Sequence, residues 1–375
     1  MIKIFFSILV IINFPQTIYS QQKNHYPDSV IIPEASCVSV DNLSFYIKQN
    51  FATDTAKIKA IYSWITNNIT YDVASMEDIK SNALIKPQLV ADVLTMRKAV
   101  CQGYSELFTA LCKNVGINAL VVSGYVKNNG RIMPMAHAWV AAELDGEWFF
   151  FDPTWGAGYV NSNYFVKRFN NAFYKIHPKN FIADHMPFDP LYQFLPYPIN
   201  NKDFIAGTPS NNKVLFNYQD TLNKYNQLSS FEQMNAELKR ILDAGIENDL
   251  IQKRKQYLVN VLQLYTFKNA FDESNKTFVK AIKLLNEYIE QKNKQFSALG
   301  DNELIQSLDS MNFYIKLSRS LMSQAVIQND QQQSTKTNSL SNIDQYWKQL
   351  MQEEQFVKKY IATDMASRRE LFRRM

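Results

Sequence analysis

All twelve prolines of this 375-residue chain lie at or before Pro209, and this distribution constrains the fold more than any other feature. The 166 residues that follow contain no proline and only two glycines, Gly245 and Gly300. Because proline and glycine interrupt regular structure most strongly, so long a stretch without proline predicts long helices. We therefore expect residues 206–375 to form an all-α domain.

Apolar residues in this second half recur at three- and four-residue steps, the spacing that places them on one face of a helix. The positions are Phe231, Leu238, Ile241 and Leu242, then Leu258, Val261, Leu262 and Tyr265, then Phe278, Ile282, Leu285 and Ile289. Residues 303–327 and 343–375 have the same character. Between them, residues 328–342 are rich in Gln, Ser, Thr and Asn. This composition predicts a mobile polar loop.

The first half of the chain mixes helical and strand patterns. Thr53 or Asp54 can cap a helix that ends near Asn68. Three β-rich runs separated by turn residues follow at 120–126, 138–144 and 148–151. Helices followed by strands predict an α+β domain. We place this domain at residues 53–205, after a lead segment at 21–52.

The first twenty residues have the pattern of an export signal. Lys3 precedes an apolar run at 4–12, and Ser20 is a small residue at a suitable cleavage point. The run falls well short of the about 20 residues that cross a bilayer as a helix, so a cleaved signal peptide is favoured over an uncleaved anchor. The sequence predicts an exported protein, periplasmic or extracellular, after cleavage near Ser20.

The three cysteines, Cys37, Cys101 and Cys112, are an odd number for an exported chain. At least one is therefore expected to be free or to pair with another molecule. On one helix Cys101 and Cys112 would lie about 16 Å apart, too far for a disulfide. A bridge between Cys37 and Cys112 stays open, although a buried thiol is the simpler interpretation of Cys112.

The formal net charge is +5, from 40 basic and 35 acidic side chains. No Lys/Arg run is interleaved with aromatic residues as a nucleic-acid groove requires, so nucleic acid is not an expected partner. Basic residues near the end of the chain are typical of a solvated helix terminus, with cell-envelope association as the alternative. These residues are Arg368, Arg369, Arg373 and Arg374.

Cys101 begins a predicted amphipathic helix that ends near Asn114. Its phase is shared by Tyr104, Leu107, Phe108, Leu111, Cys112 and Val115. Gly116 suits the left-handed residue that ends many helices. Because a helix N-terminus favours an anion, a cysteine at this point is poised to be a thiolate. Taken alone, Cys101 would be better interpreted as a small buried hydrophobe.

The Asp-Gly dipeptide at 145–146 is typical of a two-residue hairpin turn. With that turn, Asp152 lies opposite Trp139, and His137 lies on the same sheet face as Asp152. The two would be diagonal neighbours about 7 to 8 Å apart at the backbone, within reach of a hydrogen bond. A histidine held by a carboxylate can take a proton from a thiol and return it to a leaving amine. Together with Cys101, the pair predicts a catalytic triad.

Three separated motifs resemble the transglutaminase-like superfamily, and they occur in the order expected for it. They read RKAVCQGYS at 97–105, HAWV at 137–140 and FDPTWGAG at 151–158. The similarity is greatest to the branch that includes kyphoscoliosis peptidase and its bacterial relatives. The upstream helix matches this branch at Ile61, Trp64, Asn68, Ile69, Tyr71 and Asp72. The resemblance covers about residues 53–200.

The resemblance implies a papain-like α+β core in which a helix-borne cysteine packs on an antiparallel sheet. It implies Cys101 as the nucleophile, His137 as the general base and acid, and Asp152 as the orienting group. The Cys101 backbone N–H is expected to be one oxyanion donor, and the second donor is unassigned. The side chains predicted to line the substrate site are Trp64, Tyr71, Gln102, Trp139 and Trp155, with plain packing as the alternative for Trp64 and Tyr71.

Active members of this superfamily share a thioester on the cysteine and differ in the acceptor that resolves it. We therefore predict a cysteine acyl-transfer enzyme, foremost a peptidase or amidase that acts on protein or peptide substrates. The alternatives are a noncatalytic binding or scaffold protein with the same fold, and a protein cross-linking transglutaminase.

Neither a cofactor nor a metal is expected. His177 and His185 lack the spacing of a helical metal site, and three prolines separate or follow them. Residues 180–197 are predicted instead to form an irregular aromatic strap that closes the α+β domain.

Overall fold

The fold is described from a computed structural model, which covers residues 30–76, 88–208 and 214–373. The predicted signal peptide lies outside these ranges. The chain divides into two compact units. The described residues of the N-terminal unit are 30–76, 88–122 and 137–177, and those of the C-terminal unit are 123–136, 178–208 and 214–373.

The N-terminal unit contains short and medium helices around antiparallel strands. Its helices are α1 (Val40–Asn50), α2 (Asp54–Asn68), α3 (Val90–Met96), α4 (Cys101–Asn114) and α5 (Pro153–Ala157). Its strands are β1 (Thr70–Tyr71), β2 (Lys98–Ala99), β3 (Ala119–Asn128), β4 (Arg131–Leu144), β5 (Glu147–Phe151), β6 (Gly158–Asn161) and β7 (Tyr164–Lys167). The outer parts of β3 and β4 continue into the C-terminal unit.

The core of this unit forms where α2 and α4 pack on β4 and β5. Apolar side chains one turn apart, such as Leu107 and Leu111 on α4, are fully buried together with Phe151 of β5. Helix α1 joins the same core through Leu43 and Ile47. The α+β prediction is confirmed, but the domain begins before residue 53, because these two residues place α1 in its core.

The hairpin of β4 and β5 has the register that the sequence predicts. Leu144 pairs with Glu147 and Val140 pairs with Phe151. Asp145 and Gly146 form the turn with φ values of 55° and 79°. Positive φ at both central residues matches the twist of the flanking strands, so this turn fixes which side chains share a face.

The C-terminal unit is dominated by helices. They are α6 (Pro178–Phe181), α7 (Asn201–Ala206), α8 (Tyr218–Tyr225), α9 (Ser230–Ala244), α10 (Asp249–Asn293), α11 (Asp301–Gln324) and α12 (Asp330–Ala362), with β8 (His185–Pro187) between the first two. Helix α10 is 45 residues long and joins two of the predicted helical segments into one. The prediction of a helical C-terminal region is confirmed.

The strap predicted at 180–197 lies in the C-terminal unit and not in the domain that we place at 53–205. Two interactions explain the difference. Pro187 of β8 pairs with Gly124 in the outer half of β3. Asp189 receives two hydrogen bonds of 2.7 Å from Arg240 of α9.

The mobile polar loop predicted at 328–342 is wrong, because α12 begins at Asp330. The Asn329 side chain caps the helix by accepting the N–H of Gln332 at 2.9 Å. Lys336 donates to the carbonyls of Ser323 and Ala325 near the end of α11, at 2.6 and 2.7 Å. Polar residues of modest helix propensity can therefore form a solvated helix when its start is capped and its side chains bond to the end of the preceding helix.

The sequence predicts that Arg368 is part of a solvated basic terminus, but in the structure this arginine is paired with another side chain. Its guanidinium forms a bidentate ion pair with Asp301, with bonds of 2.7 and 2.8 Å, and lies over the ring of Tyr360. The arginine thus ties the 3₁₀ turn Arg368–Phe372 to the start of α11. Across the described ranges, no helix combines the length and apolar character needed to cross a bilayer.

Candidate active site

Cys101 is the first residue of α4, and the backbone before it is held in place by a short ladder. Strand β2 pairs in parallel with β1, with Tyr71 opposite Ala99. Val100 is extended, with φ of −88° and ψ of 177°, and its N–H donates to Gln88 Oε1 at 3.1 Å. No side chain caps the N-terminus of α4 among the described residues. Its first N–H groups are therefore available to a negatively charged oxygen.

The position of Cys101 along the helix is set by close packing at Gly103. A Cβ at this position would lie 2.3 Å from Gln88 Oε1 and 2.8 Å from the Ala99 Cβ. The glycine lets α4 approach the chain before it. The Cys101 carbonyl accepts the Ser105 hydroxyl at 2.9 Å inside the helix. The three cysteines are free and buried, so the bridge between Cys37 and Cys112 that the sequence leaves open is absent.

His137 and Asp152 are joined by a hydrogen bond between Nε2 and Oδ2 of 2.7 Å. Asp152 follows β5 and is the N-cap of α5, where its Oδ1 accepts the N–H groups of Thr154 and Trp155 at 2.9 and 3.0 Å. From the sequence we expect Asp152 only to end a strand, so the cap is an additional role of this side chain. An aspartate followed by Pro153 at the first helical position is the pattern that indicates it.

The imidazole of His137 is buried, and its charge state is set by opposing effects. Burial lowers the pKa of His137, whereas the charge of Asp152 and hydrogen bonds to Asp152 and Cys101 raise it, to a net value of about 10. Because Nε2 faces the carboxylate, Nδ1 is the ring nitrogen left to interact with the thiol. The site can therefore hold a protonated imidazole beside the Cys101 sulfur.

Two indole rings flank this imidazole. The Trp155 ring centroid lies 5.4 Å from that of His137 with the planes at 31°, and the Trp139 centroid lies 6.1 Å away at 36°. Phe173 packs edge-on against Trp155. Aromatic faces near a cation stabilise it, whereas the water that they exclude would have stabilised it too, so the two indoles act on the imidazolium in opposite directions.

The structure separates the predicted substrate residues into two groups. Tyr71, Gln102 and Trp155 are half-buried and accessible. Trp64 is buried under the guanidinium of Arg97, 4.6 Å from its ring, and Trp139 is fully buried against His137. Both indoles pack inside the domain, and the substrate role of the five side chains stays a prediction.

His177 and His185 both contact aromatic side chains. His177 packs edge-on against Phe149. His185 Nδ1 bonds Asp184 at 2.5 Å and its ring stacks on Phe181. Asp189 is paired with Arg240.

The turn that carries Asp152 is supported by Tyr62, which the sequence analysis does not single out. The Tyr62 hydroxyl donates to the Asn170 carbonyl at 2.9 Å. A Cβ at Gly156 would lie 1.9 Å from this hydroxyl oxygen. The contact joins residues 94 positions apart in sequence, and no local pattern indicates it.

Replacing Gly156 with alanine is expected to destabilise the protein by about 1 to 3 kcal/mol, the usual effect of overpacking. The added methyl group must displace Tyr62 or the helical turn after Asp152. Adding Tyr62→Phe to this variant removes the clashing oxygen and should restore part of the loss. Thermal melting of the single and double variants measures both effects, and a double variant no more stable than Gly156→Ala would contradict the explanation.

A cysteine at a helix start, beside a histidine–aspartate pair on an antiparallel sheet, is the arrangement of the transglutaminase-like fold. Residues 41–153 match the family model of the transglutaminase-like superfamily. This part of the chain is a transglutaminase-like domain, as the sequence motifs predict.

Curated relatives are similar to less than half of the chain. Human kyphoscoliosis peptidase (Homo sapiens) is 33% identical over 173 residues, which cover 44% of this chain and 26% of the relative. Hillarin of Drosophila melanogaster is 24% identical over 185 residues, covering 44% and 22%. The chain thus matches about a quarter of the length of these relatives. A solved structure described as a TGase is 22% identical, with a TM-score of 0.27 and coverage of 39% of each chain.

Proposed function

We propose that the protein is an exported cysteine acyl-transfer enzyme that hydrolyses peptide or amide bonds of protein or peptide substrates. Cys101 is the nucleophile, His137 the general base and acid, and Asp152 the group that orients the imidazole. The proposal is carried by the 2.7 Å bond from His137 to Asp152, with His137 also hydrogen-bonded to Cys101.

The first half-reaction forms the thioester. The Cys101 sulfur attacks the scissile carbonyl carbon, and the carbonyl π electrons move to oxygen to give a tetrahedral oxyanion. The oxyanion collapses, the C–N bond breaks, and the leaving amine takes the proton held by His137. The Cys101 N–H at the start of α4 is positioned to donate to the oxyanion.

Water resolves the thioester in the second half-reaction. His137, now neutral, takes a proton from the water, whose oxygen attacks the thioester carbon. Collapse of this second tetrahedral intermediate expels the Cys101 thiolate and releases a carboxylic acid. The imidazole is then protonated again beside the thiolate, as at the start.

The similarity to kyphoscoliosis peptidase supports hydrolysis over the two alternatives, a noncatalytic scaffold and a cross-linking transglutaminase. The human relative is named a peptidase. Cys101, His137 and Asp152 all lie within residues 41–153, which match the transglutaminase-like family model. A noncatalytic scaffold would not need all three side chains in this arrangement. Export is part of the proposal and rests on the pattern of residues 1–20. The substrate is proposed as a protein or peptide, without a cofactor.

Iodoacetamide labelling tests whether Cys101 is an activated thiol. The cysteines are about equally buried, with 3% of Cys37, 1% of Cys101 and 0% of Cys112 exposed, so selective labelling cannot reflect exposure. We expect labelling of Cys101 at about pH 6 to 7, where an ordinary thiol of pKa near 8.5 is still protonated. Burial raises the pKa of Cys37 and Cys112, which should stay unlabelled. Peptide mass mapping identifies the labelled site.

The variant His137→Ala should shift labelling of Cys101 toward the pH range of an ordinary cysteine, and Cys101→Ala serves as the blank. If Cys101 reacts like a free cysteine and His137→Ala changes nothing, the enzyme proposal fails. Peptide release from casein, compared with incorporation of a fluorescent amine, then separates hydrolysis from cross-linking. We expect peptide release to dominate.

A further inference from the structure

We infer that the Tyr71 hydroxyl is the second oxyanion donor of this site, beside the Cys101 backbone N–H. The inference rests on the proposed function, because it assigns a role within the same acyl transfer. It follows from the place of Tyr71 in the β1–β2 ladder and from the engagement of the other nearby donors.

Tyr71 is held next to the start of α4 by backbone pairing. It lies opposite Ala99 in a parallel ladder, only two residues before Cys101. The Asp72 N–H donates to the Ala99 carbonyl at 2.8 Å, and the Asp72 carboxylate pairs with Lys98 at 2.9 Å. These contacts on either side of Ala99 fix the short strand, and they hold the Tyr71 backbone opposite a residue that lies two positions before the nucleophile.

Other polar side chains around the start of α4 are already used. Gln102 Nε2 donates to Glu106 at 2.9 Å. Gln88 accepts from Val100 and covers Gly103, which is on the side of the helix away from Cys101. The Tyr104 hydroxyl donates to the Ile69 carbonyl at 2.7 Å.

The Tyr71 hydroxyl makes no hydrogen bond within the part of the chain that the structure describes, so it is free to donate to an incoming group. Its ring is half-buried and packs 6.2 Å from the ring of Phe165 on β7. An aromatic contact on one side and a ladder on the other limit the rotamers of the phenol. A donor that is already fixed needs no reorganisation when the oxyanion forms.

The charge environment of Tyr71 suits such a donor. Burial, followed by the charges of Cys101, Tyr104 and Asp152, raises the pKa of Tyr71 far above its ordinary value. The phenol therefore keeps its proton when Cys101 is a thiolate.

The oxyanion role separates two reactions of Cys101. Ester hydrolysis passes through a tetrahedral oxyanion, whereas alkylation by iodoacetamide displaces iodide at a saturated carbon and forms none. A group that only stabilises the oxyanion therefore affects the first reaction alone. A group that shapes the thiolate or the fold affects both.

The test measures hydrolysis of p-nitrophenyl acetate and alkylation by iodoacetamide in the full chain, for wild type and Tyr71→Phe. We expect ester turnover that depends on Cys101 to fall by about 10² to 10³-fold, the usual effect of losing one oxyanion donor. The alkylation rate should not change. Tyr159→Phe, an exposed tyrosine on the neighbouring strand β6, is the matched control and should leave both rates unchanged.

Each other outcome has a distinct meaning. Equal ester turnover in wild type and Tyr71→Phe, with turnover lost in Cys101→Ala, overturns the role of Tyr71 and leaves the proposed function intact. A parallel loss of alkylation and turnover in Tyr71→Phe assigns the tyrosine to structure and also overturns the inference. Turnover that is the same in wild type and Cys101→Ala overturns the proposed function itself, and the role of Tyr71 with it.

Discussion

Replacing Asp152 with asparagine is expected to lower Cys101-dependent turnover by about 10³ to 10⁴-fold while leaving the fold intact. The two carboxylate oxygens of Asp152 have separate tasks. Oδ1 caps α5, and Oδ2 accepts from His137 Nε2. An asparagine can keep its oxygen on the cap and must then present its NH₂ group to Nε2.

An NH₂ group facing Nε2 inverts the tautomer of His137. Nε2 becomes the acceptor, the proton moves to Nδ1, and Nδ1 can no longer take the proton of the Cys101 thiol. The loss is therefore chemical and not structural. Initial rates of p-nitrophenyl acetate hydrolysis measure it, and circular dichroism of the folded variant checks the fold.

Asp145→Asn is the matched control for this variant. Asp145 belongs to the same hairpin and has a φ of 55°, which asparagine adopts as readily as aspartate. The control should leave turnover and stability unchanged. Equal turnover in wild type and Asp152→Asn would show that the carboxylate does not set the tautomer of His137.

The stability of Asp152→Asn should also depend on pH in a defined direction. The pKa of His137 in the folded protein, about 10, is above its ordinary value of 6.5. A raised pKa stabilises the fold fully below the unfolded value and loses this effect as pH rises through the folded value. The stability difference between wild type and Asp152→Asn should therefore be largest near pH 6 and shrink toward pH 10. Urea unfolding at several pH values measures it.

The hairpin was predictable because its information is local. An Asp-Gly turn fixes the register, and the register places His137 and Asp152 on one face. The same holds for α4, whose start at Cys101 and end at Asn114 follow from apolar phase and from Gly116. Short-range rules thus predict both elements that carry the proposed triad.

Other features depended on residues far apart in sequence. The contact of Gly156 with Tyr62, and the flanking of His137 by Trp155, arise only once the domain has folded. The first part of the helix at 330–362 was predicted as a loop, because its capping residues lie among polar residues typical of loops. The place of α1 in the core was missed because Leu43 and Ile47 make only a short apolar stripe. The sequence near α1 does not show which other side chains bury this stripe.

Breaking the buried ion pair of Asp189 and Arg240 is expected to lower the free energy of unfolding strongly. Asp189 is 2% exposed and accepts two bonds of 2.7 Å from Arg240, whose guanidinium also lies over Tyr225. Asp189→Ala leaves Arg240 without its carboxylate in a largely buried place. Removing one partner of such a pair costs about 3 to 5 kcal/mol. Urea unfolding followed by circular dichroism measures the loss.

A solvent-exposed ion pair on the same helix is the control for the buried pair. Lys239 and Asp243 form a solvent-exposed pair of 2.9 Å on α9, and such pairs contribute about 0.3 to 0.5 kcal/mol. Asp243→Ala should therefore change stability far less than Asp189→Ala, although both variants remove a carboxylate that pairs with a basic side chain of α9. Adding Arg240→Met to Asp189→Ala removes the stranded charge and should recover part of the loss. If the double variant is no more stable than Asp189→Ala, the loss comes from the cap that Asp189 provides to Leu191 and not from the unpaired arginine.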